Sequence, residues 1–207
     1  MKTEILPFES GHALQAAIST INNGGVIAFP TDTVYGVACD LWNPEAIDKV
    51  FAAKKRTKNK PLPILVGVQE QLSQITDISQ INQNILALLK RFWPGAMTVI
   101  MPKQASIPQN LSPFDTIGVR MPNHSRLLEL LKKTGPLAVT SANISGDENP
   151  TSAFEVNQQL GGRIDLILDG GKTDSAIPST VIASTKDGFN ILRQGAITEE
   201  EIMATFK

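Results

Sequence analysis

Cysteine occurs once in the 207 residues, histidine twice and tyrosine once. The lone thiol, Cys39, excludes an internal disulfide and a cysteine-based zinc site, and it fits a reducing compartment. Cys39 stands in an apolar context with no basic neighbour to lower its pKa, so it reads as a small core residue. No sign of charge dominates: 19 Lys and Arg face 20 Asp and Glu, a net charge of −1. That balance argues against a surface built wholly to neutralise phosphate, and leaves room only for a local basic patch. No apolar run approaches membrane-spanning length, and the N-terminus has no apolar leader core. A cytoplasmic protein with no membrane partner is expected. Also missing are a GxxxxGK[ST] loop, a GxGxxG turn, a Ser–His–Asp set, paired carboxylates and any His/Cys cluster. Nucleophilic catalysis and a protein-held metal are therefore not expected.

What is present is an ordinary core fraction, 42% hydrophobic, with no repeat, linker or break in composition. Ser10 caps a helix whose apolar face is Ala13, Leu14, Ala17, Ile18 and Ile21, ended by Asn23-Gly24-Gly25. The run Val26 to Phe29 reads as a buried strand halted by Pro30. Asn43-Pro44 opens the next helix, with Ile47, Val50 and Phe51 inward. An apolar strand is expected from Pro63 to Val68, and helix across 69–92, clearest from Ser79. Trp93-Pro94-Gly95 stops that helix before the strand Met97 to Met101, and the strand Ile117 to Arg120 follows. His124 starts a helix facing inward through Leu127, Leu128 and Leu131, and it serves as a cap rather than in catalysis. Further strands are read at 137–139, 164–168, 181–183 and 190–193. Capping boxes are read at Ser152/Glu155 and Thr198/Glu201. The expected architecture is one α/β domain over 1–207, a single-domain twisted sheet of mixed parallel and antiparallel strands flanked by helices. Roughly seven strands are expected.

The polar residues gather where strands end. Pro30 is followed by Thr31, Asp32, Thr33, Tyr35 and Gly36. The strand at 137–139 runs into Thr140, Ser141, Ala142 and Asn143. Such ends are where open α/β sheets bind ligands, although each alone also reads as a polar turn. The basic run Lys54, Lys55, Arg56, Lys58 and Lys60 reads either as a solvated helix end or as an anion site between helix and strand. Arg120 reads either as a salt-bridge partner or as a ligand clamp. Together these ends offer hydroxyls (Thr31, Thr33, Thr140, Ser141, Ser179, Thr180), the Asn143 amide, and the cations Lys54, Arg56, Arg120 and Arg193. That set binds polyanions and small zwitterions, which suits phosphoryl or nucleotidyl transfer, where positioning and charge stabilisation do most of the catalysis.

Eight segments, in order, are FPTDTVYG, AKKRTKNKPL, WPGAMTVI, DTIGVRMPNH, TSANISG, DGG, PSTV and ILRQG. In that order, from about Gly24 to Gly195, the chain resembles the YrdC-type threonylcarbamoyl-AMP synthases, in the single-domain form because it ends soon after ILRQG. The resemblance implies a YrdC-like fold and a nucleotidyltransferase. L-threonine, bicarbonate and ATP would give threonylcarbamoyl-AMP and pyrophosphate, for threonylcarbamoyladenosine next to the anticodon of tRNA. It implies L-threonine at Thr33, Arg120, Val139 and Ser179, with Arg120 on the carboxylate. It implies ATP at Arg56, Lys60, Thr116, Ser141, Asn143, Asn149 and Arg193, with Lys54 and Arg56 as the catalytic pair stabilising charge on the triphosphate. Mg2+ would arrive with ATP, held mainly by phosphates, and threonylcarbamoyl-transferase proteins would act downstream. Two positions depart from the pattern: Leu65 stands where many relatives have His, and Thr57 where Pro is common. The rival readings are a tRNA- or double-stranded-RNA-binding module using the Lys54–Lys60 run, and a paralogue with another substrate.

Overall fold

The computed structural model describes residues 2–173, 175, 177–185 and 188–206. The strands in chain order are β1 (Glu4–Pro7), β2 (Ile27–Phe29), β3 (Gly36–Asp40), β4 (Ile64–Leu65), β5 (Met97–Pro102), β6 (Thr116–Arg120), β7 (Leu137–Ser141), β8 (Leu166–Asp169), β9 (Thr180–Thr185) and β10 (Gly188–Arg193). The helices are α1 (Gly11–Asn22), α2 (Pro44–Ala53), α3 (Gln83–Phe92), α4 (Ser125–Thr134), α5 (Ala153–Leu160) and α6 (Glu199–Met203). The helix starts follow the local chemistry. Ser10, Asn43, His124, Ser152 and Thr198 each accept a hydrogen bond from a first-turn backbone N–H through the side chain. The box at Thr198/Glu201 is complete. At Ser152 it is not, because the Glu155 carboxylate accepts instead from the Thr151 N–H at 2.6 Å.

Among the described residues all ten strands form one sheet in the order β1-β8-β2-β3-β7-β4-β6-β5-β9-β10. Parallel pairs (β1/β8, β8/β2, β4/β6, β5/β9) mix with antiparallel ones, as expected of a mixed sheet. Roughly seven strands are expected and eight segments are read as strands; two of the ten observed strands lie outside those segments. The first strand, β1, is a four-residue edge, largely exposed, with no alternation to reveal it. The third, β3, hides behind the polar cluster: Phe29 pairs with Gly36, so residues 30–35 form the tip of an antiparallel hairpin. The expected strand at 63–68 shrinks to two residues, because the Gly67 N–H leaves the ladder for the Gln71 Oε1, 2.7 Å away. The expected helix at 69–92 is two short 3-10 turns before α3. Asp77 and Asn82 accept the N–H groups of Ser79 and Ile85, which restarts the chain twice. In α4, Leu130 is buried where Leu128 was expected, and Leu128 is half-buried.

Period-two alternation splits the core between the two faces of the sheet. Ala28, Val37, Cys39 and Ala138 face one cluster with α2, α3, α5 and α6. Ile27, Phe29, Ala38, Leu137 and Val139 face the other, with α1 and α4. Cys39 is fully buried, and burial pushes its thiol up to about 12, which leaves it inert. Strands β5, β6 and β9 contribute nothing to the second cluster. There they present Thr98, Gly118 and Arg120 beside the half-buried Ile100 and Val181, and Thr98 and Arg120 form part of the floor of a cleft.

Candidate active site

The cleft has a volume of about 270 Å3. Pro61, Pro63 and Leu65 run along one wall, and Val34 and Val139 close the apolar side. Next to Thr98, Gly118 has little room for a side chain, since a Cβ there would crowd Thr98 and Ile100. The hairpin tip, the end of α2, the end of β7 and the segment before β9 bring the polar groups.

The hairpin tip is built on threonine hydroxyls. Thr31 Oγ1 donates to the Val34 carbonyl at 2.7 Å and accepts from the Thr33 N–H at 3.0 Å. That turn places Thr33 Oγ1 3.0 Å from Arg120 Nη1. Arg120 is held on two more sides: Nε donates to the Gly95 carbonyl at 3.0 Å, and Nη2 to the Asp32 carboxylate at 2.6 Å. Both ionic side chains are withdrawn from water, 8% and 15% exposed. Burial pulls the Arg120 pKa down and the Asp32 charge opposes this. The guanidinium has five N–H groups, of which three are used, and Arg120 lines the cleft.

The end of α2 sets two cations in opposite directions. The N–H of Lys55 bonds the Ala52 carbonyl and that of Arg56 the Phe51 carbonyl, the two bonds of a Schellman motif. The position usually given to glycine is Lys55, with φ 51°. A lysine in left-handed conformation is a strained choice, found where geometry matters more than local stability. It turns Lys54 into the core and Arg56 to the cleft. Lys54 Nζ donates to the carbonyls of Ser141 and Asn143, the latter at 2.6 Å. Burial, with the Arg56 charge added, pushes the Lys54 pKa down to about 7. Arg56 is steadied by the Lys60 and Pro61 carbonyls at 3.1 and 3.0 Å, and burial lowers its pKa.

On the far wall Ser179 Oγ lies 2.8 Å from Thr98 Oγ1, and Arg193 Nη2 donates to the Ser179 carbonyl at 2.8 Å. Gly195 has no room for a side chain, because a Cβ would strike the backbone at Pro178–Thr180. Burial, and then the charge of Arg120, lower the Arg193 pKa. Two cations that repel across a cleft define a place for an anion. Four cations surround or underlie the cleft, and the one carboxylate bonded to any of them is Asp32 among the described residues. Tyr35 ties the surrounding loops together: its hydroxyl donates to the Gly171 carbonyl and accepts from the Gly170 N–H, and burial pushes its pKa up to about 12.

A sequence profile of Sua5/YciO/YrdC, a family described as telomere recombination, matches residues 19–195. The chain belongs to the Sua5/YciO/YrdC family. It is similar to the threonylcarbamoyl-AMP synthase of Bacillus subtilis (strain 168), 39% identical over 191 residues, which are 91% of this chain and 55% of that protein. The enzyme of that name from Pyrococcus abyssi is also 39% identical over 191 residues, 91% of this chain and 56% of its own. The chain thus spans about half the length of these curated relatives. The crystal structure of P. abyssi Sua5 complexed with L-threonine matches at TM-score 0.91 and 36% identity, over 99% of this chain and 60% of that one.

In this Sua5/YciO/YrdC member, Arg56, Arg120, Val139, Ser141, Asn149, Ser179 and Arg193 all line one cleft. The other expected residues stand outside its walls. Thr33 lies behind Arg120, while Lys54 and Asn143 lie behind Ser141. Lys60 is exposed and reaches the site only through the carbonyl it lends to Arg56. Thr116 is exposed at the start of β6, on the same face as Arg120 and roughly 13 Å along the strand. Leu65 lines the cleft with its apolar side chain. Two further residues of the site, Asp32 and Thr98, are not among the expected ones. Asp32 sat in view between two threonines, but only the fold brings β6 against it. Thr98 lay inside an apolar strand, where one hydroxyl in the run was the sole signal. Among the described residues no group of three or more His, Cys, Asp or Glu could hold a metal ion.

Proposed function

We propose that this chain is a nucleotidyltransferase that makes threonylcarbamoyl-AMP and pyrophosphate from L-threonine, bicarbonate and ATP, for threonylcarbamoyladenosine formation in tRNA. The observation that carries the reading is the charge of the cleft. Arg56, Arg120 and Arg193 face one space with hydroxyls beside them, and the single bonded carboxylate belongs to Arg120 alone. The likeness to named synthases, and to a relative complexed with L-threonine, supports the same reading.

In this reading the free N–H groups of Arg120 take the threonine carboxylate, and Thr33 and Asp32 fix the guanidinium. Ser179 and the backbone at Val139 border the same end, with apolar Val34 and Leu65 beside the threonine methyl. The threonine amine and bicarbonate give a carbamate and water. A carbamate oxygen then attacks the α-phosphorus, the P–O bond to the β-phosphate breaks, and pyrophosphate leaves. No enzyme nucleophile is required. Arg56 and Arg193 offset the charge gathering on the phosphates. Ser141 and Asn149 meet the nucleotide at the edge, Asn143 supports Ser141, and Lys60 and Thr116 serve the open end. A protein-built metal site does not fit the donors among the described residues, and in this proposal Mg2+ comes with the nucleotide phosphates.

We take residues 1–207 as one domain, supported by the single sheet that runs from β1 to β10. Among the described residues no helix is long and apolar enough to cross a membrane, and we assign the activity to the cytoplasm with transferase proteins downstream. An RNA-binding role finds less support. Lys54 and Arg56 turn inward and Lys58 pairs with Asp48 at 2.9 Å, which leaves Lys55 and Lys60 of the basic run. The deciding experiment is pyrophosphate release from Mg-ATP, with and without L-threonine and bicarbonate. Release that requires both supports the proposal. ATP binding without threonine-dependent release points to a paralogue with another substrate.

A further inference from the structure

Lys54 is 1% exposed, a lysine buried as deeply as the core leucines. Its ammonium donates to the Ser141 carbonyl, the Asn143 carbonyl and, at 3.4 Å, Asn143 Oδ1. Every acceptor is neutral, and Lys54 itself is not among the residues that line the cleft. The lysine's own carbonyl accepts from the Ser145 N–H at 2.8 Å. The segment 141–145 is therefore fastened to one residue from two sides, just past the last ladder pair of β7, where the Ala142 N–H still bonds the Tyr35 carbonyl at 2.8 Å and the Ile144 N–H bonds Gln159 Oε1 at 2.9 Å. Asn143 passes the hold onward: its Oδ1 accepts from Ser141 Oγ, and its Nδ2 donates to the Asp147 carbonyl at 2.8 Å.

A buried ammonium with no carboxylate is unfavourable, and an apolar side chain would fill the same space at lower cost. The charge must serve the segment it grips. A cation satisfied by three acceptors has no N–H left for a phosphate. Arg56, two residues on, has the cleft position that Lys54 lacks.

We infer that Lys54 is a positioning residue: its ammonium sets the end of β7 so that Ser141 faces the ligand, and it does not touch the nucleotide. The effect on catalysis rests on the synthase reading above, whereas the grip on 141–145 does not.

Hydrogen exchange of the unliganded protein tests the grip directly. In Lys54→Met the backbone amides of 142–147 should exchange at least tenfold faster than in the native chain, while Arg56→Ala leaves them unchanged. Should Lys54→Met fail to fold, Lys54→Gln, which keeps a donor for one carbonyl, takes its place. Unchanged exchange in the folded variant overturns the inference. The second arm measures kcat and the ATP KM for Lys54→Met, Asn143→Ala and the double variant. Positioning through Asn143 predicts a double variant no worse than the weaker single one. Losses that multiply would mean that Lys54 meets the nucleotide itself, and would overturn the inference even with faster exchange. A native chain that releases no pyrophosphate would sink the synthase reading but leave the exchange result decisive for the grip.

Discussion

The Asp32 carboxylate lies 2.6 Å from Nη2 of Arg120, and the pair is withdrawn from solvent between the hairpin tip and the end of β6. In the proposed function this cation takes the threonine carboxylate, and it is already half neutralised. What remains is a directed fork rather than a bare charge. Removing one member of a buried pair strands the other. Asp32→Ala is expected to destabilise the fold by about 3–5 kcal/mol. Urea unfolding with a midpoint close to that of the native chain would mean that water reaches Arg120 freely.

Thr33 Oγ1 accepts from Arg120 and shares a hydrogen bond with Thr31 Oγ1. Thr33→Ala leaves a buried N–H without a partner, worth about 1–3 kcal/mol. The KM for L-threonine should rise at least roughly tenfold while the ATP KM stays near native. An unchanged threonine dependence removes Thr33 from the site.

Arg56 makes its hydrogen bonds to carbonyls of its own loop, Lys60 and Pro61. Arg56→Ala should therefore fold normally and lose charge stabilisation, with pyrophosphate release falling roughly 10²–10³-fold. Thermal unfolding and turnover measured on one preparation separate the two effects.

Lys54 gives the fold a pH dependence with a definite sign. Its pKa falls from the ordinary 10.5 to about 7 on folding. Between those values the unfolded chain binds the proton and the native one releases it, so this group's contribution to stability rises as pH rises from about 7. Below that range both states are protonated and the contribution is flat. The difference in unfolding free energy between the native chain and Lys54→Met should change between pH 7 and 9 in that direction. A difference that stays constant would contradict it.

Tyr35 donates to the Gly171 carbonyl and accepts from the Gly170 N–H, which fastens the segment after β8 to the hairpin. Tyr35→Phe is expected to cost about 1–3 kcal/mol. It should also speed amide exchange at Gly170 and Gly171, readable by the same hydrogen-exchange measurement.

The local events are legible along the chain. Ser10, Asn43, His124 and Thr198 cap their helices because a side-chain acceptor next to free N–H groups acts within a few residues. The polar strand ends were legible too, since hydroxyls after an apolar run stand out along the chain. The tertiary structure alone decided which of those ends meet. That β3 turns back on β2 rests on the short turn between Phe29 and Gly36, whereas β6 lying against Asp32 and Lys54 facing a neighbouring segment both depend on contacts across 85 or more positions in the chain. Such contacts leave no periodic mark in the sequence. Lys54 and Arg56 read alike as basic residues in one run. The fold separates them, because the left-handed turn at Lys55 sends one side chain into the core and the other to the cleft.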